Sequence, residues 1–141
     1  MMLKTSELGL TSKDLLILDA VHLTVEQRSA KDGQLTLFDG IPAHNYPIIL
    51  YLRDRPDAPA TIWHDVVVWT VEEIRQSETT HALVVTGVPN STGKIYFWTQ
   101  NYQAPTAIKG GSLAGYDTVN QIATIEVSFN DGGNASVTIQ F

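Results

Sequence analysis

The stretch that decides the fold is IWHDVVVWTV at residues 62–71, which a polar connector at residues 72–80 joins to HALVVTGV at residues 81–88. Both apolar runs predict long β-strands. In the first run, both faces of the predicted strand carry apolar residues, and Trp63 and Trp69 lie on the same face. A strand of this kind is covered on both sides, by a second sheet, a helix or another copy of the chain.

Turn signals recur about every 8 to 12 residues along the rest of the chain, and apolar or alternating segments lie between them. This spacing predicts an all-β fold, an antiparallel β-sandwich or barrel of about eight or nine strands with at most one short N-terminal helix. A Ser cap and an acidic first turn favour that helix at residues 12–18, although the same apolar run is compatible with a strand. At the C-terminus, residues 124–129 and 136–141 alternate on either side of NDGGN and predict a hairpin.

With 141 residues, the chain suits a single β domain at residues 1–141, because domains usually span about 100 to 150 residues. Residues 1–10 show no apolar period and predict a flexible arm. Residues 101–117 hold three glycines and a proline and predict a loop longer than the usual connection. We expect partners to act at the arm and at this loop.

Composition excludes several classes of partner and chemistry. Lys and Arg total 9 against 15 Asp and Glu, the net charge is -6, and no two basic residues are adjacent, so we expect no nucleic-acid partner. The absence of cysteine removes disulfides, thiolate metal sites and cysteine nucleophiles. The sequence has neither a signal-peptide pattern nor the roughly 18 to 20 consecutive apolar residues of a membrane span, which predicts a soluble protein made in the cytoplasm without export.

One segment, GVPNSTGK at residues 87–94, has a superficial likeness to a phosphate-binding loop. Five residues separate its glycines where that motif has four, and Ile95 stands where a Ser or Thr would hold magnesium. The following residues also predict a strand, whereas an anion site of this type needs a helix N-terminus. The segment therefore predicts a plain hairpin turn, and we predict no cofactor.

The polar residues do not form a recognisable catalytic or metal-binding pattern. No two of the four histidines have the spacing that places two imidazoles on one face of a strand or helix, so no metal site is predicted. Most acidic residues lie in predicted turns or on polar strand faces, and no nucleophile-elbow motif occurs. His64 and Asp65 interrupt the most apolar stretch, which favours a strand bulge, edge or bend over catalysis. We predict no catalytic residue and no enzymatic activity.

Four aromatic residues are the candidate contact residues: Trp63, Trp69, Tyr102 and Tyr116. Trp63 and Trp69, six residues apart on one predicted strand face, are compatible with a sugar-stacking platform. A core or subunit-interface role is favoured, because large rings dominate the energetics of cores and interfaces.

Two function classes follow. The favoured one is a non-enzymatic structural or assembly module that acts through protein–protein contacts as a homo-oligomer, of the class that builds virus or phage particles as a capsid, tail or baseplate component. It rests on strands that are apolar on both faces, a charged fraction of 17% and the lack of a site motif. The alternative is a carbohydrate-binding β-sandwich that stacks sugars on Trp63 and Trp69 or on Tyr102 and Tyr116.

Overall fold

The computed structural model describes residues 2–9, 14–19, 24–31, 34–36, 50–56, 58–100 and 104–141. Contacts between Cα atoms divide the chain into two compact units, Met1–Pro56 and Asp57–Phe141. The single domain at residues 1–141 and the flexible arm at residues 1–10 stay predictions. No helix among the described residues has the length and apolar character needed to cross a bilayer.

Among its described residues, the first unit contains two small antiparallel sheets and one turn of 3-10 helix at Thr5–Leu8. The strands of this described part are β1 (Met2–Lys4), β2 (Asp14–Asp19), β3 (Thr24–Ser29), β4 (Gln34–Thr36) and β5 (Leu50–Asp54). Strand β1 pairs with β4, and β2 lies between β3 and β5.

The preference for a helix at residues 12–18 was wrong, because the described part of that segment forms strand β2. Its four central side chains, from Leu15 to Leu18, are all buried. A helix buries one stripe of its surface, whereas a central strand buries both faces, so four consecutive buried residues fit the strand.

The second unit is a sandwich of two four-stranded antiparallel sheets. Its strands are β6 (Ala60–His64), β7 (Val68–Arg75), β8 (Thr80–Gly87), β9 (Thr92–Trp98), β10 (Ala107–Lys109), β11 (Ser112–Asp117), β12 (Ile122–Ser128) and β13 (Asn134–Gln140). Sheet I has the order β11-β12-β9-β6, and sheet II has the order β10-β13-β8-β7. The predicted all-β antiparallel sandwich is confirmed.

Inward-facing side chains from both sheets form the core of this unit. They alternate with outward residues along each strand, as the burial of β8 and β12 shows. The fully buried members contribute about 1.5–3 kcal/mol each. They include Leu83, Val85, Ile95, Phe97, Ile125, Val127 and Ile139.

The strand pairings differ from the predicted ones. Residues 62–71 do not form one strand, because the chain turns at residues 65–67 and passes from β6 in sheet I to β7 in sheet II. The two C-terminal segments are strands, but they do not form a hairpin: β12 pairs with β9 and β11, and β13 pairs with β8 and β10. Alternation reveals which residues face the core and carries no information about which strand lies alongside.

Residues 101–117 are not a single long loop. Residues 101–103 lie outside the described part, and the remainder contains strands β10 and β11, joined at Gly110 and Gly111. This short connection crosses from sheet II to sheet I. Gly110 has a φ of 80°, and a Cβ at this position would overlap the backbone oxygen of Ser136.

We expect Gly110→Ala to lower the free energy of unfolding by about 2–4 kcal/mol, because it combines a strained φ with a backbone clash. Gly115→Ala is the matched control, since no atom lies within 4 Å of an added Cβ there, and its effect should stay within about 1 kcal/mol. Urea unfolding of the two variants provides the comparison. Equal stability of both would show that the β10–β11 connection is not the tight crossing described here.

Candidate functional site

A turn at Asp65 connects β6, an edge strand of sheet I, to β7, an edge strand of sheet II. One carboxylate oxygen, Oδ1, accepts hydrogen bonds from the amides of Val67 at 3.1 Å and Val68 at 3.3 Å. The other oxygen accepts a hydrogen bond from the Lys94 amide on β9 at 2.9 Å. This side chain thus fixes the turn and ties it to the neighbouring strand. The predicted bend at His64 and Asp65 is confirmed.

Strands β6 and β7 are the edges of the two sheets on one side of the sandwich, and a cleft of ≈ 330 Å³ lies between them. We call the cleft between β6 and β7 the edge cleft. It is lined by Thr61, Ile62, Trp63, His64, Val71 and Glu73. Each of the two strands has a bulge, between Thr61 and Trp63 in β6 and between Val68 and Thr70 in β7.

Glu73 bridges the two edge strands. It pairs with Leu83, which is buried, and so lies on the inward face of β7. Its Oε1 lies 3.1 Å from Nδ1 of His81, and its Oε2 accepts a hydrogen bond from the Thr61 amide at 3.4 Å. His81 is itself buried and contacts the rings of Phe97 and Phe141 edge-on. The carboxylate is therefore held from both sides of the cleft.

Trp63 lies beside the edge cleft, and its ring is on the outer face of sheet I, because it pairs with Tyr96, the neighbour of the core residues Ile95 and Phe97. Its ring stacks on Tyr96 with 5.0 Å between ring centroids and 25° between planes. Burial, with a smaller contribution from the Asp65 carboxylate, raises the pKa of Tyr96 above its ordinary value. The stack on this buried tyrosine gives Trp63 a fixed orientation.

The predicted contact residues are not brought together. Trp63 lies on β6 and Trp69 at the bulge of β7, in different sheets, so the prediction that they share one strand face was wrong. Trp69 is 59% exposed. Tyr116 packs against the core, and its hydroxyl lies 3.1 Å from that of Thr99. Tyr102 lies outside the described residues, and the roles of all four as contact residues stay predictions.

A second surface of interest is the outer face of sheet II. The register places on it the following residues: Thr70, Glu72, Ile74, Thr80, Ala82, Val84, Thr86, Ala107, Lys109, Asn134, Ser136, Thr138 and Gln140. Among these outward positions only Glu72, on edge strand β7, and Lys109, on edge strand β10, carry a charge. Ile74 is 50% exposed and Val84 42%. We call this surface the outer face.

The segment that has a likeness to a phosphate-binding loop is a sheet-to-sheet connection. Residues 88–91 join β8 in sheet II to β9 in sheet I, so the predicted hairpin pairing is wrong although the turn is present. The chain continues into strand β9, which offers no helix N-terminus for a phosphate.

The described residues contain no group of three or more His, Asp or Glu side chains placed to hold a metal ion. His22 and His44 lie outside the described residues. The edge cleft has a single carboxylate, from Glu73, among its lining residues.

Comparison of the chain with protein-family models, curated proteins and solved structures finds no significant match.

We expect Asp65→Ala to lower the free energy of unfolding by about 2–4 kcal/mol, because three amides lose a charged acceptor. Asp117→Ala is the matched control: that carboxylate also accepts three hydrogen bonds, from the backbone amides of Val119 and Asn120 and from the Asn120 side chain, but all lie within its own exposed turn, and its loss should cost about 1 kcal/mol. Chemical denaturation measures both. A smaller loss for Asp65→Ala than for Asp117→Ala would contradict the role given to this turn.

Proposed function

We propose that the chain is a non-enzymatic assembly module that acts through protein–protein contacts, and that the outer face of sheet II binds a second copy of the chain. The observation that carries the proposal is the charge pattern of this face. It exposes Ile74 and Val84 among short neutral side chains, with one charge at each edge.

A face of this composition suits burial against protein. The central part of a protein interface is depleted in charged residues, because taking an unpaired charge out of water is costly. Two hydroxyls of the outer face, those of Thr70 and Thr86, make a hydrogen bond with each other within the sheet. Burying hydroxyls that are paired in this way costs little free energy, whereas burying the apolar side chains of Ile74 and Val84 is favourable.

The positions of the two charges favour a second copy of the chain as the partner. Glu72 lies on β7 and Lys109 on β10, at opposite edges of sheet II. If two copies meet face to face about a two-fold axis parallel to the strands, β7 of each copy lies over β10 of its partner. Glu72 of each copy then approaches Lys109 of the other copy, which gives two such pairs. The two residues of a pair are offset by about 7 Å along the strand, a distance that the lysine side chain spans. An axis across the strands would instead place Glu72 over Glu72.

Larger assemblies need a further contact, because an isologous face by itself closes at a dimer. Val66, which is 93% exposed in the Asp65 turn, and the exposed ring of Trp69 supply apolar groups for it. We therefore extend the proposal to a repeated building block of a virus or phage particle, such as a capsid, tail or baseplate.

We predict that the charge reversals Glu72→Lys and Lys109→Glu each weaken self-association, because each places two pairs of like charges across the contact. The expected loss is about tenfold in the dimerisation constant. The double variant, with both charges reversed, restores opposite pairing and should recover most of the affinity. Sedimentation velocity at low ionic strength measures all three.

Glu126→Lys, on the outer side of sheet I, serves as the matched control and should leave association unchanged. A double variant as weak as the single ones, or single variants that associate like the unmodified chain, would contradict the proposed face and its symmetry.

A further inference from the structure

We infer that edge strand β7 of sheet II pairs antiparallel with β7 of a second copy of the chain, about a two-fold axis that passes through Ile74 perpendicular to the sheet. This contact uses the open edge of sheet II and is therefore separate from the contact through the outer face. Its consequence for larger assemblies rests on the proposed function.

The backbone of β7 is open on the side away from β8. The Gln76 amide donates to the oxygen of Thr80 at 3.0 Å, so the even-numbered residues after the bulge of β7 bond to β8. The odd-numbered residues Val71, Glu73 and Arg75 therefore direct their N–H and C=O groups to the open edge. Glu73 is exposed as a whole although its side chain is only 26% exposed, because its backbone faces solvent.

The charges of this edge complement each other when two copies pair about Ile74. The axis places residues that are equally far from Ile74 opposite each other, so Glu73 of each copy meets Arg75 of the other. The register puts both at inward positions, since they pair with the buried residues Leu83 and His81. Residues of opposite charge thus face each other twice, and each pair exchanges both of its backbone hydrogen bonds.

Neighbouring registers are unfavourable. An axis at Glu72, Glu73 or Arg75 would place two like charges directly opposite each other, which destabilises a strand pair. At the Ile74 axis, the two isoleucine side chains, each 50% exposed in the single chain, become neighbours and lose apolar surface to each other.

The same charges favour a second copy over an arbitrary peptide. A strand that offered no cation opposite Glu73 would cover an inward carboxylate, and such inward charges are a means by which proteins reject unwanted strands. The second copy supplies the matching cation from Arg75 in the same register that brings the two Ile74 residues together.

The other edges of the sandwich are less suitable for added strands. Strand β10 has only three residues, and in β6 the Thr61 amide already donates to Glu73. In β11, the bulge between Leu113 and Gly115 shifts the alternation, so a two-fold axis at its middle would place an inward position opposite an outward one. The bulge of β7 lies before the run that pairs.

Together with the outer face, the edge contact produces an open assembly. The axis of the outer-face contact runs parallel to the strands over the middle of sheet II, whereas the edge axis is perpendicular to the sheet at its border. Two such axes do not meet, so they generate a repeated translation in place of a closed ring. The product is a ribbon that grows across the strands, which suits a repeated building block.

The test uses the absence of cysteine from the chain. In Ile74→Cys, the two thiols at the axis belong to residues with Cα atoms about 4.5 Å apart, within the range of a disulfide. We expect oxidised glutathione to convert this variant into a covalent dimer about tenfold faster, or more, than Val119→Cys. Val119 is the control because it is 83% exposed in the turn between β11 and β12. In the outer-face contact the two β7 strands are about 14 Å apart or more, too far for a disulfide.

Charge variants of the Ile74→Cys chain separate the two contacts. Arg75→Glu should slow the cross-linking about tenfold, because a like charge then faces Glu73, whereas Arg75→Lys should retain it. Lys109→Glu acts at the outer face and should leave the cross-linking rate unchanged. Without the cysteine, the unmodified chain should form species larger than a dimer in sedimentation velocity, and Arg75→Glu should limit it to a dimer.

The inference is overturned if Ile74→Cys cross-links no faster than Val119→Cys, if Arg75→Glu assembles like the unmodified chain, or if Lys109→Glu removes the cross-link. Cross-linking that persists while Glu72→Lys and Lys109→Glu leave association unchanged would contradict the outer-face contact and support the edge contact. The thermal midpoint of each variant reports whether it is folded. If Ile74→Cys does not fold, the sedimentation of Arg75→Glu decides.

Discussion

The sandwich depends on the meeting of three sheet-to-sheet turns at Gly87. The Gly87 amide donates to the oxygen of Gly133 at 2.9 Å, and the next amide, of Val88, donates to the oxygen of Val67 at 3.0 Å. The Phe129 amide donates to the oxygen of Ser91 at 2.9 Å, which links the last turn to the second. A Cβ on Gly87 would run into the Val67 oxygen and the Phe129 ring. Only glycine lets these backbones approach, and this approach lets the chain change sheets repeatedly at one end.

The edge cleft and the outer face both result from this change of sheets. Because the Asp65 turn transfers the chain between sheets, β6 and β7 become facing edges with a cleft between them, and Trp63 is separated from Trp69. Glu73 then faces inward at an open edge, a position at which a carboxylate also discourages the addition of another strand. The same topology makes β7 and β10 the two borders of sheet II, which is why Glu72 and Lys109 lie at opposite sides of the outer face.

The sequence predicted which residues of a strand face the core better than it predicted which strands pair with each other. The alternation in residues 124–129 and 136–141 identified the inward residues of β12 and β13, but alternation is the same whether the next strand pairs in a hairpin or packs across the core. Helix and strand were both compatible with the short run of β2, since four consecutive apolar residues carry no distinguishing period.

The sequence did not predict the edge cleft or the outer face, for a related reason. Residues 72–80 were interpreted as a polar connector, whereas β7 continues to Arg75 and places Glu72 outward and Glu73 inward. The two adjacent acids belong to different surfaces, Glu72 to the outer face and Glu73 to the edge cleft. The signal was present in the apolar Ile74 that follows them, but the register that separates these residues comes from pairing with β8.

The proposal that the outer face of sheet II is the contact face is tested most directly by a dilution series of the unmodified, isotopically labelled chain, followed by amide chemical shifts. We expect concentration-dependent shifts that cluster on the outward residues of β7, β8 and β13, with Val84 near their centre, while sheet I residues such as Glu126 stay constant. Shifts confined to sheet I, or spectra that do not change over a wide concentration range, would contradict it.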